Sequence, residues 1–244
     1  MLAFFLLASS WLRAAGAGAL TPPAAAINDP AAGQSLAADL RRPPLSEAEI
    51  RGTLKLRQRD GSTTNVPVKF WNVFAGNSWQ AFYAVTDTNR SETLTVLHSP
   101  NQPNEYRLTR GLASNCVATA PLATAEIWQP FAGSDFSLAD LGTEFLQWPT
   151  QVLVRNEMRK NRACHVLESR PAITNAYARV LSWVDVESVG IVLAEAYGLD
   201  GKRVKEFEVN GLTKVGDRWE VREMEIRDLK KRSRTILEFD LTEN

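Results

Sequence analysis

The chain has 244 residues, 44% hydrophobic and 23% charged, with 28 Lys plus Arg balanced by 28 Asp plus Glu. The apolar share is enough for a sizeable core. The charge balance argues against nucleic acid as a main partner, because phosphate binding needs net positive charge or a strongly basic face. Only two histidines, His98 and His165, and two cysteines, Cys116 and Cys164, are present. None sits in a ligand-spaced cluster, so no metal and no cofactor are expected. No Gly-x-Ser-x-Gly or phosphate loop occurs either, and no catalytic residue is nominated.

The chain opens on a short apolar run, residues 1–12, followed by Ala15-Gly16-Ala17 and Ala17-Gly18-Ala19. This is the pattern of a secretory signal over residues 1–19, with a short N-terminal anchor as the alternative. Arg13 follows the apolar run where a signal usually carries its positive charge ahead of it. Cleavage and a periplasmic location are expected. No cysteine follows directly, so the acylation site of a bacterial lipoprotein is absent. Residues 20–34, rich in Ala, Pro and Gly, read as a flexible leader. A single domain over residues 35–244 is expected, opening with a short helix around residues 36–40.

Strand texture begins at Ile50. Residues 50–59 alternate apolar and polar and end at Asp60-Gly61. Strands follow at residues 66–74, 79–85, 93–98 and 105–110, with polar turns between them. The middle breaks this rhythm with one helix, expected from Phe136 to Pro149. Ser137 and Asp140 form a capping box there, and Phe136 and Leu141 fall at staple positions. Leu141, Phe145 and Trp148 continue an apolar stripe. Strands return at 152–159, 163–169, 178–186, 191–197, 204–209, 219–227 and 235–241, with Asp200-Gly201 as a hairpin signal. The pattern predicts one large antiparallel sheet.

Several strands are apolar on both faces. Val66, Val68, Phe70 and Phe74 share one face and oppose Trp71 and Val73, while Leu181 and Trp183 oppose Val180 and Val184. A solvated antiparallel sheet is polar on one face, so the second face needs a cover: helices, a ligand, or both. Cys116 and Cys164 read as a disulfide in an oxidising compartment, with two buried thiols as the alternative. If residues 163–169 are a strand, His165 and Cys164 point to opposite faces and form no dyad. Arg227, Lys230, Lys231, Arg232 and Arg234 gather at the last hairpin. They read as a solvated turn or as a docking patch for an anionic membrane or acidic partner.

The second half of the chain resembles a known family. The pieces that carry the resemblance are Gly133-Ser-Asp-Phe-Ser-Leu-Ala-Asp-Leu141, Arg162-Ala-Cys-His-Val-Leu-Glu-Ser-Arg-Pro171 and Tyr177-Ala-Arg-Val-Leu-Ser-Trp-Val-Asp185. Ala194 to Lys202, Asp217 to Arg227 and Arg234 to Phe239 follow in order. Together they resemble the bacterial outer-membrane lipoprotein-sorting proteins of the LolA-like periplasmic carrier superfamily. The resemblance implies an α+β, mostly β fold: a large curved antiparallel sheet, an open half-barrel, with helices over its concave apolar face. It implies a monomeric, non-enzymatic carrier of lipoprotein or lipid acyl chains, with an inner-membrane transporter and an outer-membrane acceptor as partners. A non-enzymatic envelope sensor or interaction module of the same fold is the alternative. Lining candidates for the apolar cavity are Phe70, Phe74, Trp79, Tyr83, Trp148 and Trp183. Phe136, Leu141 and Phe145 mark the helix that would act as a lid or as fixed core.

Overall fold

The computed structural model describes residues 28–44, 47–87, 91–100, 102–111, 120–173, 176–215 and 218–241. The expected signal segment and Cys116 lie outside these residues. The first half of the sheet holds β1 (Ile50–Arg57), β2 (Thr63–Ala75), β3 (Ser78–Val85), β4 (Glu92–His98) and β5 (Glu105–Arg110). The second half holds β6 (Thr150–Arg159), β7 (Arg162–Arg170), β8 (Arg179–Asp185), β9 (Ile191–Tyr197), β10 (Arg203–Val215), β11 (Arg218–Asp228) and β12 (Ser233–Phe239). All twelve pair antiparallel in one sheet, ordered β5-β4-β3-β2-β1-β12-β11-β10-β9-β8-β7-β6. Each half is a meander, and β1 joins the halves by pairing with β12, Leu54 opposite Leu237.

The sheet is curled, and hydrogen bonds show it. β5 and β6 are the two edge strands and do not pair with each other. Laid flat, eleven strand spacings would hold them about 50 Å apart. Yet Tyr106 of β5 donates to the Glu144 carboxylate at 2.9 Å, and Gln151 of β6 donates to the next residue's carbonyl, Phe145, also at 2.9 Å. Two adjacent residues of one connecting segment thus bridge both edges. The half-barrel is open at its seam and filled by the chain that links its halves.

That link, residues 120–149, lies on the concave face. It is an insert of short turns: a 3₁₀ turn Glu126–Trp128, the helix α2 (Leu138–Leu141) and a second 3₁₀ turn Glu144–Gln147. The expected single helix from 136 to 148 is therefore broken. Gly142 caps α2, and Thr143 adopts the left-handed region at φ 51°. A Cβ on Gly142 would lie 2.3 Å from the Tyr106 hydroxyl, so the break is where the insert presses against β5. The capping box is formed as expected, with Ser137 accepting from the Asp140 amide and Asp140 accepting from the Ser137 amide.

A second helix, α1 (Pro30–Leu40), packs against β6 and β7. Asp29 caps it by accepting from the Ala32 amide at 2.9 Å, and Pro30 occupies a first-turn position where a missing N–H is harmless. The expected leader over 20–34 is too long and the expected helix too short, because this Asp-Pro start lies inside the Ala-rich stretch. Gly33, Ala37 and Leu40 make a narrow buried stripe. β10 also runs past its expected end at Val209. A bulge between Val209 and Gly211 shifts the alternation and hides the continuation.

The inward residues of the strands form the main core. Leu54, Val68, Phe70, Tyr83, Leu94 and Leu237 are each at most 2% exposed. A smaller second cluster, Cys164, Val166, Leu181, Trp183 and Leu193, contains the outward neighbours of main-core residues Leu167, Val180, Val184 and Ala194. This accounts for strands apolar on both faces. Arg155 and Arg159 stand over the Trp183 ring, and the Trp183 indole donates to Glu157. Charged side chains roof the outer cluster.

The seating of α1 depends on Gly33, where a Cβ would meet the Gln151 carbonyl at 2.6 Å. Gly33→Ala is expected to lower stability by about 1–3 kcal/mol, despite the gain in helix propensity. Urea denaturation checks this, and an unchanged or raised midpoint contradicts the close docking of α1.

Candidate functional site

The insert is held on the concave face by pegs from both halves of the sheet. Asp135 accepts from Ser233 at 2.5 Å and Thr235 at 2.9 Å, both on β12. Asp140 is paired with Lys205 of β10 at 2.8 Å and accepts from the Tyr177 hydroxyl at 2.9 Å. The Lys205 ammonium also donates to the Asp135 carbonyl at 2.7 Å. From the first half, Tyr83 donates to the Leu141 carbonyl at 2.9 Å and Glu92 accepts from the Ala132 amide at 2.9 Å. The capping role expected for Asp140 is thus only part of its work, since it and Asp135 both tie the insert to strands.

Burial alone would raise the Asp140 carboxyl. The Lys205 ammonium and the bonds from Lys205 and Ser137 outweigh it and hold the group below the usual carboxylate range. Glu144 goes the other way. Its burial pushes it above that range, against the lowering effect of bonds from Tyr106 and Asn104. Burial likewise lifts the Tyr177 phenol well above its ordinary value, with the Asp140 charge adding to the effect.

Beside the Asp140–Lys205 pair lies a cavity of about 40 Å³, otherwise lined by Phe145, Tyr177, Val180, Ile191, Ala194, Ala196, Phe207 and Ile226. It runs between the insert and β8 to β11. Its walls are carbon apart from the ion pair and the Tyr177 hydroxyl at one end. This volume has room for about one water molecule. It falls far short of the ~300–1,000 Å³ that small-molecule ligands occupy.

Of the nominated lining residues, Phe70, Trp79, Tyr83 and Trp148 join the main core, as do Phe136, Leu141 and Phe145 of the insert. Among the nominated residues only Phe145 reaches the cavity wall. Phe74 is 36% exposed at the end of β2 and is not part of this cavity's wall. Trp183 faces outward in the second cluster. Both depart from the expected site: Phe74 sits at a hairpin end, and Trp183 has the outward parity of β8. Residues that sequence reasoning missed are Lys205, Tyr177, Phe207 and Ile226. Lys205 carried a usable signal, because a lysine two positions before inward Phe207 needs a buried acceptor.

Cys164 is a free thiol, buried in the outer cluster, and its expected bridge partner Cys116 lies outside the described residues. Burial raises its pKa to about 11. β7 is a strand as expected, and Cys164 packs outward while Leu167 and Ser169 face the core side and His165 contacts Asn156. In the basic cluster, Arg227 pairs with Glu225 and Glu206, Arg234 with Glu225 at 3.8 Å, and Lys231 with Asp228 at 3.4 Å. Lys230 and Arg232 are exposed in the turn. Among the described residues, no three His, Cys, Asp or Glu side chains converge as metal ligands. No helix there is long and apolar enough to cross a membrane.

Removing the Asp140 charge tests the peg. A depressed carboxylate pKa adds stability that is present above its unfolded value and lost as pH falls through the lower folded value. Asp140→Asn is expected to lose about 3–5 kcal/mol at pH 7 by leaving Lys205 buried and unpaired. The gap to the parent should shrink under acid, once the parent's Asp140 is itself protonated. Denaturation curves at both pH values check this, and a gap independent of pH contradicts the assignment.

Solved structures with this architecture come from several bacteria. A DUF1329 family protein from Desulfovibrio piger superposes with a TM-score of 0.69 at 17% identity, covering 87% of this chain and 92% of that one. A putative outer membrane lipoprotein-sorting protein domain from Vibrio parahaemolyticus gives 0.68 at 15% identity, with the same 87% and 92% coverage. A LolA superfamily protein from Nitrosomonas europaea gives 0.59 at 18% identity, covering 85% and 91%. No curated protein matches the chain in sequence. Residues 118–243, just over half of the chain, match a family model described as "Uncharacterized protein". The chain belongs to that family, and its fold is the LolA-like half-barrel of the lipoprotein-sorting proteins.

Proposed function

We propose that this protein is a periplasmic carrier that takes up acyl chains of a lipid or lipoprotein against its concave face, for transfer toward the outer membrane. The observation that carries the reading is the cover of that face. A long apolar sheet surface is closed by short turns held with polar pegs, next to a small cavity with carbon walls. The likeness in fold to the putative outer membrane lipoprotein-sorting protein domain from Vibrio parahaemolyticus agrees with it. An inner-membrane donor and an outer-membrane acceptor complete the role, which involves binding and release without a chemical step.

Energetics indicate which part of the cover moves. Burying a fourteen-carbon chain yields about 11 kcal/mol at ~0.8 per CH₂. Lifting the whole insert would expose Ile127, Phe131, Phe136, Leu138, Leu141, Phe145, Leu146 and Trp148, about 12–24 kcal/mol at ~1.5–3 each, before any hydrogen bond is lost. One chain does not offset that. Swinging out residues 143–148 exposes Phe145, Leu146 and Trp148 at about 5–9 kcal/mol, which one chain does offset. The left-handed Thr143 next to Gly142 supplies the hinge, and Phe145 is the wall that opens. Asp135 and Asp140 hold α2 in place throughout.

The test is lipid recovery and uptake. Protein purified from the envelope should yield acyl-bearing molecules on solvent extraction and mass spectrometry, and should bind a fluorescent long-chain fatty acid. Ala194→Phe, which fills the cavity from β9, should weaken probe binding about tenfold or more while leaving the circular dichroism spectrum unchanged. Extraction without lipid together with no probe binding by the parent would sink the reading.

A further inference from the structure

We infer that one rim of the half-barrel, formed by the β7–β8, β9–β10 and β11–β12 connections, docks on an anionic phospholipid surface. The inference rests on the carrier reading above and names the surface from which the load would be taken or to which it would be given.

Three neighbouring connections on this rim each hold a large aliphatic side chain out to solvent. Ile173 is 78% exposed, Leu199 83% and Leu229 39%. Hydrogen bonds fix their adjacency. The Ala178 amide donates to the Tyr197 carbonyl at 2.8 Å, joining the β7–β8 connection to the end of β9. The Leu229 amide donates to the Val204 carbonyl at 3.0 Å, joining the last turn to the start of β10. The opposite rim also exposes apolar groups, Phe74, Met158 and Leu212, but on hairpins that are not neighbours in the sheet.

Cations stand among the aliphatic tips. Lys202 follows Leu199 in its turn, and Lys230, Lys231 and Arg232 follow Leu229, all four exposed. Arg57 and Arg59 extend the row through the β1–β2 turn, because Arg57 lies opposite Arg234 across β1 and β12. The acids nearby are mostly engaged in the turns themselves. Asp228, 7% exposed, accepts from the amides of Lys230 and Lys231, and Asp60 accepts from the Ser62 amide. Asp200 accepts from the Lys202 amide, and among the described residues the ammonium groups that pair within the turns are those of exposed lysines, Lys202 with Asp200 at 4.0 Å and Lys231 with Asp228 at 3.4 Å.

An acidic protein would match the charge, but it gives no reason for isolated aliphatic tips spread over three turns. A lipid interface matches both. Its phosphates take the cations, and its acyl boundary takes Ile173, Leu199 and Leu229. The arrangement also has a consequence for loading. Tyr177, Lys205 and Ala196, at the cavity end nearest this rim, lie within a few residues of these tips, so docking brings the cavity to the membrane.

The experiment is co-sedimentation of the full chain with vesicles of phosphatidylcholine, and of phosphatidylcholine mixed with phosphatidylglycerol. Binding should be restricted to the anionic vesicles and should fall as salt is raised. Each surface cation is worth about fivefold near such a membrane, so Lys230→Gln/Lys231→Gln/Arg232→Gln should bind about 100-fold more weakly. Ile173→Ser/Leu199→Ser, which leaves the charge unchanged, should also weaken binding, at unchanged salt dependence of what remains. Thermal unfolding serves as the folding control for both variants. Equal binding to the two vesicle types, no binding to either, or a triple variant that binds like the parent overturns the inference. Fatty-acid probe binding by the parent separates the two ideas. Uptake by a parent that does not dock on anionic vesicles removes the membrane rim alone, whereas no uptake by the parent removes the carrier reading.

Discussion

An antiparallel sheet of twelve strands with one apolar face cannot leave that face to water, and the organisation of this protein follows from how it is covered. The sheet curls until its two edge strands reach the same short segment, Glu144 and Phe145. The insert then acts as a core delivered by the chain itself. Its apolar residues, Phe131, Phe136, Leu138 and Leu146, are at most 1% exposed. The edges are managed by the same neighbourhood. Asp29 bridges to Leu153 on β6 and α1 packs beside it, while the Leu122 amide donates to Tyr106 on β5 at 2.8 Å. Unpaired strand edges are thereby blunted against association.

The insert is not uniform, and this matters for function. Its first part carries two buried carboxylates, Asp135 and Asp140, each satisfied by two or more donors from other elements. A buried charge with its partners in place is costly to disturb. Among the described residues its last part holds no buried ion pair: it is tied by neutral bonds from Gln151 to the Phe145 and Trp148 carbonyls, by one bond from the part-exposed Arg41 guanidinium to the Leu146 carbonyl at 3.2 Å, and through Glu144, whose burial disfavours its charge. Neutral bonds of this kind are each worth only about 0.5–1.5 kcal/mol net. The difference in fastening sets a fixed part beside a yielding one, with Gly142 and Thr143 between them.

Much of the architecture was legible in the sequence, for reasons that can be located. β5 and β9 match their expected bounds because each run is closed off by Gly or polar turns at both ends. The capping box at Ser137 was visible because its geometry is local. The break at Gly142 was not, because it depends on Tyr106, which is distant in sequence. Trp183, a lining candidate, lies on the outer side of the sheet. Composition shows that both faces of β8 are apolar but not which is concave, and the arginines that roof the outer cluster come from β6. The parity of Lys205 with Phe207 signals that it needs a buried acceptor but not which one, because its partner, Asp140, is a long-range contact. In each case the missing information was a contact between segments far apart in the chain.

The central claim is that an acyl chain enters by displacing the last part of the insert while the first part stays fastened. Hydrogen–deuterium exchange of the protein, with and without a saturating long-chain fatty acid, tests this most directly. The account predicts faster exchange at residues 143–148 in the loaded protein, with residues 135–141 and the strands unchanged. Exchange at 143–148 that stays the same or slows on loading, or an insert that opens along its whole length, would contradict it.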